Sequence, residues 1–203
     1  YLDGIINASV NLAKECDRQG VQRFIFISSE SVLQDKDDLI DIDEPIQTYV
    51  PSFPQKIDII TIRHLLTHTS GIRHYDFGNF SESNNQEHFD SAADSLFLFA
   101  DDELIAPPGE GFHYSSFGYN LIGAAIEKVT GQSYRDALQT YVSDPLNLRV
   151  TTIDDASTLT QCRPRFTTNI FGWLPITTFD RDHSEAYASA GVLSAPQELV
   201  ELG

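Results

Sequence analysis

Histidine, threonine and serine side chains crowd residues 61–72, whose sequence is TIRHLLTHTSGI. His64 and His68 are four residues apart, so on a helix their imidazoles would share one face and could ligate a metal ion. The zinc-binding pattern H-E-x-x-H also needs a glutamate after the first histidine and a third ligand, and neither is evident here. Ser70 lies close to His68 in sequence, but a nucleophilic serine needs a base that a third group orients. We therefore expect no metal and no catalytic triad in this segment.

Two other routes to a nucleophilic serine fail on spacing. No serine has glycine both two residues before and two residues after it, so the sequence contains no nucleophile elbow. The sequence has four lysines, Lys14, Lys36, Lys56 and Lys128. The residues three positions before them are Asn11, Leu33, Phe53 and Ala125. None of these can attack a carbonyl, so the 203 residues contain no Ser-x-x-Lys pair.

A tyrosine and two serines, Tyr114-Ser115-Ser116, precede the strongest helical pattern of the chain. The predicted helix covers Ser116–Val129 and stops at Gly131. Its apolar stripe consists of Leu121, Ile122, Ala125, Ile126 and Val129. The hydroxyls would therefore lie at the positive end of a helix. The alternative is that Ser115 only caps the helix and Tyr114 is a half-buried packing residue.

The segment that carries the histidines has the pattern of a short capped helix. Thr61 can accept an amide proton of the first turn, and Ile62, Leu65 and Leu66 fall on one face. Ser70-Gly71 should end the segment, because glycine adopts a positive φ without strain.

Further elements follow from local patterns. Residues 91–99 have apolar positions at helical spacing, and Ser133 with Asp136 predicts the capped start of a helix that ends before Asp144-Pro145. Residues 76–90 are polar and predict an exposed, mobile loop. Residues 150–203 mix turn residues with short β-like runs and close with the start of a helix at Pro196.

The composition excludes several classes of partner. With 13 Lys+Arg against 30 Asp+Glu the net charge is −17, so a basic surface for nucleic acid or anionic lipid is not expected. No apolar run approaches the length of a membrane span, and the N-terminus lacks the features of a signal peptide. The absence of methionine, even at position 1, indicates a fragment or a processed chain. Cys16 and Cys162 match no metal spacing and are expected to be free core residues.

From about Leu39 onward the chain resembles the serine beta-lactamase-related family, which includes penicillin-binding proteins. The motifs that carry the resemblance are DIDEPIQTYVPSFPQK, ITIRHLLTHTSGIRHY, APPGEGFHYSSFGYNLIGAAIEKVTG, DPLNL, RPRF and ASAGVLSAPQEL. The resemblance implies an α+β, mainly helical fold: the helical lobe of a beta-lactamase/transpeptidase-like fold with most of the sheet missing. It also implies hydrolysis of peptide, amide or ester substrates through an acyl-enzyme, without a cofactor, and a mitochondrial location.

The same resemblance implies roles for individual residues. Tyr114 would be the second-motif tyrosine, with Ser116 at the third position, where many relatives have asparagine. A phenol has a pKa near 10, so nearby cations must lower that pKa before the phenolate can act as a base at neutral pH. By resemblance, the structural motif beside the cleft comprises His64, His68, Ser70 and Gly71.

Residues 1–34 resemble a fragment of the extended short-chain dehydrogenase/epimerase family. The matching string is LDGIINASVNLAKECDRQGVQRFIFISSESV, in which Ser29 would be the catalytic serine. No G-x-G-x-x-G precedes it and no Tyr-x-x-x-Lys follows at a useful distance, so NAD-dependent activity is not expected. We predict two pieces, 1–34 and 35–203, with an inactive serine-hydrolase fragment as the first hypothesis. A non-catalytic binding module is the second hypothesis, and the oligomeric state is left open.

Overall fold

The computed structural model describes residues 40–76, 82, 87–155, 167–170, 174–177, 182–195 and 197–198. The α-helices that begin and end within these ranges are α1 (Ile46–Tyr49), α2 (Ile62–Leu66), α3 (Ser116–Thr130), α4 (Tyr134–Leu138) and α5 (Tyr187–Ala190). Two 3₁₀ helices cover Ala92–Leu98 and Ser184–Ala186, and a π-helical turn, Gln139–Ser143, continues α4. None of the helices in these ranges combines the length and the apolar character that a membrane span requires.

The β-structure of the described residues consists of two antiparallel pairs. Strand β1 (Thr152–Ile153) pairs with β4 (Val192–Leu193), with Ile153 opposite Val192. Strand β2 (Thr167–Ile170) pairs with β3 (Leu174–Thr177), with Thr167 opposite Thr177. The described structure is therefore mainly helical, and the short β-like runs predicted within 150–203 are present.

Helix α3 is the centre of the core. Four residues of the predicted stripe, Leu121, Ile122, Ala125 and Ile126, are fully buried, whereas Val129 is half-buried. Gly131 ends the helix with a φ of +66°. The helix packs against α2, α4, α5 and the 3₁₀ helix Ala92–Leu98. The helix predicted from periodicity is confirmed, and it projects residues 114–116 from one end of a rigid core element.

A buried carboxylate ties three of these elements together. Glu127 of α3 accepts the amide proton of Ala92 at 2.8 Å and that of Tyr134 at 2.9 Å. Burial raises the pKa of Glu127, and the two hydrogen bonds oppose that shift. The starts of the 3₁₀ helix and of α4 are therefore fixed by the same side chain.

Helix α2 begins as predicted but ends earlier than predicted. The Thr61 hydroxyl accepts the His64 amide proton, and the His64 ring accepts the Thr61 amide proton, both at 3.3 Å. The helix stops at Leu66, and His68 takes a φ of +56°. The expectation that His64 and His68 share a helix face is therefore wrong, because His68 lies beyond the helix.

Gly71 has the expected positive φ, at +72°, but it does not terminate α2. Its backbone passes so close to a neighbouring segment that an added Cβ would lie 1.9 Å from the carbonyl oxygen of Ala106. The Gly71 carbonyl accepts the amide proton of Ile105 at 2.8 Å. Glycine is required here by the contact between two segments as well as by the backbone angle.

The helix predicted at residues 91–99 and the capped helix predicted at Ser133 both occur. Ser91 forms a capping box with Asp94, and the Ser133 hydroxyl accepts the Asp136 amide proton. The first of these helices is 3₁₀ rather than α, and within it Ser95 donates its hydroxyl proton to the carbonyl of Ala92 at 2.9 Å. Such a local side-chain bond competes with regular α-helical pairing.

The expected exposed loop at 76–90 is wrong at two described positions. Phe89 is buried, and Glu82 is half-buried and bonded to Arg73. Residues 1–39, 77–81, 83–86, 156–166, Pro196 and 199–203 are among those outside the described ranges. The predictions for residues 1–34, Ser29, Leu39 and both cysteines fall there.

Candidate functional site

A cleft of about 370 Å³ opens at the start of α3. Its lining includes Tyr114, Ser116, His74, Glu82, His183 and Glu185. Tyr114 is 53% exposed, whereas Ser116 is 7% exposed. The phenol therefore faces the cleft from the last residue before the helix cap, while Ser116 belongs to the buried first turn.

Ser115 fixes where α3 begins. Its hydroxyl accepts the Gly118 amide proton at 3.1 Å and donates to the carbonyl of Arg73 at 2.7 Å. The interpretation of Ser115 as the N-cap is confirmed. Because the second bond reaches a residue 42 positions earlier, the cap also fixes the extended segment around Arg73 against the helix end.

Two imidazoles border the Tyr114 ring. The His68 ring lies 4.6 Å from it between centroids, and the His74 ring lies 5.1 Å away in an edge-on arrangement. Each imidazole accepts an amide proton through Nδ1 at 3.2 Å: His68 from Ser115 and His74 from Ser116. Sequence reasoning assigned no role to His74, although it lies within the motif string GIRHY.

The electrostatics of the two histidines agree with this geometry. Burial lowers the pKa of His68, and the nearby His74 lowers it further. Burial also lowers the pKa of His74. Both rings are therefore neutral at pH 7. A ring that accepts a hydrogen bond at Nδ1 must be neutral, because the imidazolium carries a proton on both nitrogens.

The two lysines in the described ranges lie away from the phenol. Lys56 donates to the main-chain carbonyls of Ala100 and Asp102. Lys128 occupies the last turn of α3, twelve residues from the helix start, which corresponds to about 18 Å along the axis. Neither can serve as the cation beside Tyr114 that would activate a phenol.

Arg73 supports the cleft from behind. Its guanidinium contacts the Glu82 carboxylate at 3.0 and 2.9 Å and the Asp102 carboxylate at 2.6 Å. It also lies 5.0 Å from the centre of the Phe117 ring. A planar fork with several donors can bind both carboxylates at once, which an ammonium group cannot do with the same geometry.

Replacing Arg73 with lysine is expected to lower the free energy of unfolding by about 1–2 kcal/mol, since charge-assisted hydrogen bonds to two carboxylates are lost at a partly buried site. Urea denaturation measures the change. Arg63→Lys is the matched control, because Arg63 binds one carboxylate, Asp43, at an exposed position. The control should leave the unfolding midpoint nearly unchanged. Equal effects of both variants would contradict the role given to Arg73.

The other residues predicted to lie beside the cleft make contacts that stabilise helix and loop structure. His64 caps α2, and Gly71 packs against Ala106. Ser70 is 1% exposed, and its hydroxyl accepts the Ile72 amide proton at 3.3 Å. Of the four residues predicted beside the cleft, His68 is the one in contact with Tyr114.

Within the described ranges, no three His, Cys, Asp or Glu residues are grouped so that they could hold a metal ion.

Comparison with known proteins gives a consistent result. The beta-lactamase family profile matches residues 32–203. The human serine beta-lactamase-like protein LACTB, mitochondrial, is 26% identical, over 100% of this chain and 50% of its own length. Esterase EstB of Burkholderia gladioli is 33% identical, over 53% of this chain and 31% of the esterase. The chain thus spans about half the length of the first of these relatives.

Among solved structures, a D-stereospecific amidohydrolase from Streptomyces sp. matches with a TM-score of 0.71 and 24% identity. The match covers 86% of this chain and 56% of the amidohydrolase. The match to human LACTB includes residues 1–34. The resemblance of these residues to a dehydrogenase stays a prediction, which these relatives do not support.

Proposed function

Because the chain belongs to the beta-lactamase family, we propose that it carries the tyrosine-bearing helical lobe of a serine hydrolase site for amide or ester substrates. The observation that supports this is the position of Tyr114. Its ring stands at the cleft, at the start of the central helix, beside two neutral imidazoles.

The chemistry of such a site requires two proton transfers. A serine oxygen attacks the carbonyl carbon and gives up its proton, and the departing amine or alcohol takes up a proton when the acyl-enzyme forms. Water then releases the acyl group by the same steps. In a site that has its nucleophile, the Tyr114 hydroxyl would relay the proton, and Ser116, the residue after the N-cap, would orient the phenol or the substrate.

The chain as given lacks the partner that this chemistry needs. The 203 residues contain no Ser-x-x-Lys pair, and the described lysines do not approach Tyr114. We propose that this chain binds an amide or ester in the cleft without forming an acyl-enzyme. The fold proposal is that residues 35–203 are the helical lobe of a beta-lactamase/transpeptidase-like fold with most of its sheet absent.

A non-catalytic binding module is the second candidate. The observation in its favour is a formed cleft of about 370 Å³ in a chain without the nucleophile pair.

The names of the LACTB relatives describe them as mitochondrial, which supports a proposal of the same compartment for this chain.

Incubation with a fluorescent beta-lactam that acylates active-site serines should leave the purified chain unlabelled after denaturing electrophoresis. A beta-lactamase-family enzyme with an intact Ser-x-x-Lys pair serves as the labelled control. A covalent adduct at any serine of this chain would overturn the proposed inactivity.

Binding is measured separately. Phenylalanine amide should raise the melting temperature of the chain if the cleft holds an amide ligand, because a ligand that binds the folded state stabilises it. The shift should be lost in Tyr114→Ala. No shift with amide or ester ligands, together with saturable binding of a longer peptide, would instead favour the binding module.

A further inference from the structure

The first amides of α3 are capped in an unusual way. Oxygen atoms of serine, threonine, aspartate and asparagine normally accept these protons. Here the Ser115 hydroxyl accepts from Gly118, but the amides of Ser115 and Ser116 donate to imidazole nitrogens of His68 and His74. The capping groups at this helix end can therefore gain a proton on acidification, which a serine or asparagine cap cannot.

Protonation reverses the role of each imidazole. A neutral ring whose proton is on Nε2 accepts through Nδ1, whereas the imidazolium is a donor at both nitrogens. A protonated Nδ1 would face a backbone N–H, and a positive charge would stand at the positive end of α3. Both effects destabilise the observed hydrogen bonds, so these bonds form only while both imidazoles are neutral.

The same two rings determine where Tyr114 lies. The His68 ring lies at 4.6 Å and the His74 ring at 5.1 Å from the phenol ring, between centroids. Behind His68, the Tyr119 ring lies at 5.0 Å, and the carbonyl of His68 accepts the His113 amide proton at 2.7 Å. A change at either imidazole is therefore transmitted to Tyr114 through direct contact.

We propose that His68 and His74, in their neutral form, are positioning residues that hold Tyr114 at the cleft, and that protonation of the pair releases the tyrosine and loosens the start of α3. The consequence for catalysis rests on the function proposed above. The conformational change itself is measured without any turnover.

Other titratable groups face the pair from the neighbouring elements. Tyr114 and Tyr119 border His68, and its ring also contacts Phe112 at 5.5 Å. On the cleft side of His74 the lining includes the ionisable residues Tyr75, Glu82, His183 and Glu185. Glu82 is bound to Arg73, which compensates its charge.

The pH window follows from the direction of the pKa shifts. Burial lowers the pKa of both histidines below the usual value of about 6.5. Above pH about 6.5 the rings are neutral in the folded and the unfolded chain, and the capped state is fully populated. Below that pH the unfolded chain binds protons that the folded chain excludes, so stability falls until the pH passes the lowered pKa values.

An exposed histidine acts in the opposite direction. The hydrogen bond with Asp182 raises the pKa of His88, whose contribution to stability is lost as the pH rises through that raised value. His88 is 57% exposed, so its contribution is small. It provides an internal reference in the titration.

Nitrogen-15 NMR of the whole chain tests the proposal. At pH 7.5 both imidazoles should show protonated Nε2 and unprotonated Nδ1, and on acidification both should titrate below about 6.5. The amide signals of Ser115 and Ser116 and the ring signal of 3-fluorotyrosine-labelled Tyr114 should move with the same midpoint. Tyr114→Phe assigns the fluorine signal.

A double variant, His68→Asn with His74→Asn, is the matched control. The asparagine oxygen occupies nearly the position of Nδ1 and accepts an amide proton without titrating, and asparagine tolerates the left-handed φ of position 68. The pH-dependent movement of the Ser115 and Ser116 amides should disappear. If the double variant is unfolded, His74→Asn alone should abolish the titration of the Ser116 amide.

Two outcomes would overturn the inference. One is an Nδ1-protonated tautomer at pH 7.5, and the other is titration of both rings near pH 6.5 while the Ser115, Ser116 and Tyr114 signals stay fixed. Neither outcome depends on substrate. A serine adduct with the beta-lactam probe would instead contradict the proposed inactivity and leave the titration result unaffected.

Discussion

Gly71→Ala is expected to cost at least about 4 kcal/mol of the free energy of unfolding, which is most of the stability of a domain at the lower end of the usual range of about 5–15 kcal/mol. The new Cβ would lie 1.9 Å from the carbonyl oxygen of Ala106 and 3.0 Å from its carbonyl carbon. Backbone atoms of a packed segment cannot move aside as a flexible side chain can. Soluble yield and urea denaturation measure the effect.

Gly131→Ala separates this contact from the cost of the backbone angle. Gly131 has a φ of +66°, close to the +72° of Gly71, but an added Cβ would meet nothing within 4 Å. The control should lose only about 1–2 kcal/mol, the cost of placing a side chain in the left-handed region. Similar losses at both positions would show that the approach of Ala106 is unimportant.

Phe117→Ala should lower the free energy of unfolding by about 3–5 kcal/mol, the range for a large aromatic side chain removed from a core. Phe117 is 0% exposed, and its ring lies 4.5 Å from Phe99 and 4.2 Å from Tyr75. The Arg73 guanidinium lies over the same ring, so the cavity would also loosen the support of the cleft. Chemical denaturation gives the energy, and the NMR signal of the Tyr75 ring reports the local change.

Phe97→Ala provides the surface comparison. Phe97 is 63% exposed, so its replacement should change stability by no more than about 0.5 kcal/mol. A loss at Phe117 as small as that at Phe97 would mean that the core around α3 collapses onto the vacated space.

Local patterns predicted the parts of the fold that depend on near neighbours. The stripe and the glycine stop of α3 and the Ser133 cap occur where periodicity and capping chemistry indicated. The Thr61 cap was likewise predictable, but the end of α2 was not, because a histidine rather than a glycine takes the left-handed angle. That angle is compensated by tertiary contacts of the imidazole.

The site was predictable only in part for the same reason. Tyr114 and His68 were proposed as site residues through a family resemblance, whereas the hydrogen bonds that define their arrangement join residues 42 to 47 positions apart. No periodicity encodes such pairs. The bond between Arg73 and Glu82 likewise joins residues too far apart for a local pattern to pair, and it places Glu82, predicted to lie in an exposed loop, in the lining of the cleft.

The left-handed backbone of residue 68 restricts which sequences this fold can explore. The residue must tolerate a φ of +56°, which disfavours β-branched side chains, and it must also offer an acceptor to the Ser115 amide. Glycine meets the first requirement and fails the second. Histidine, asparagine and aspartate meet both requirements, so substitutions at this position are confined to a very small set of residue types, whichever reaction the site performs.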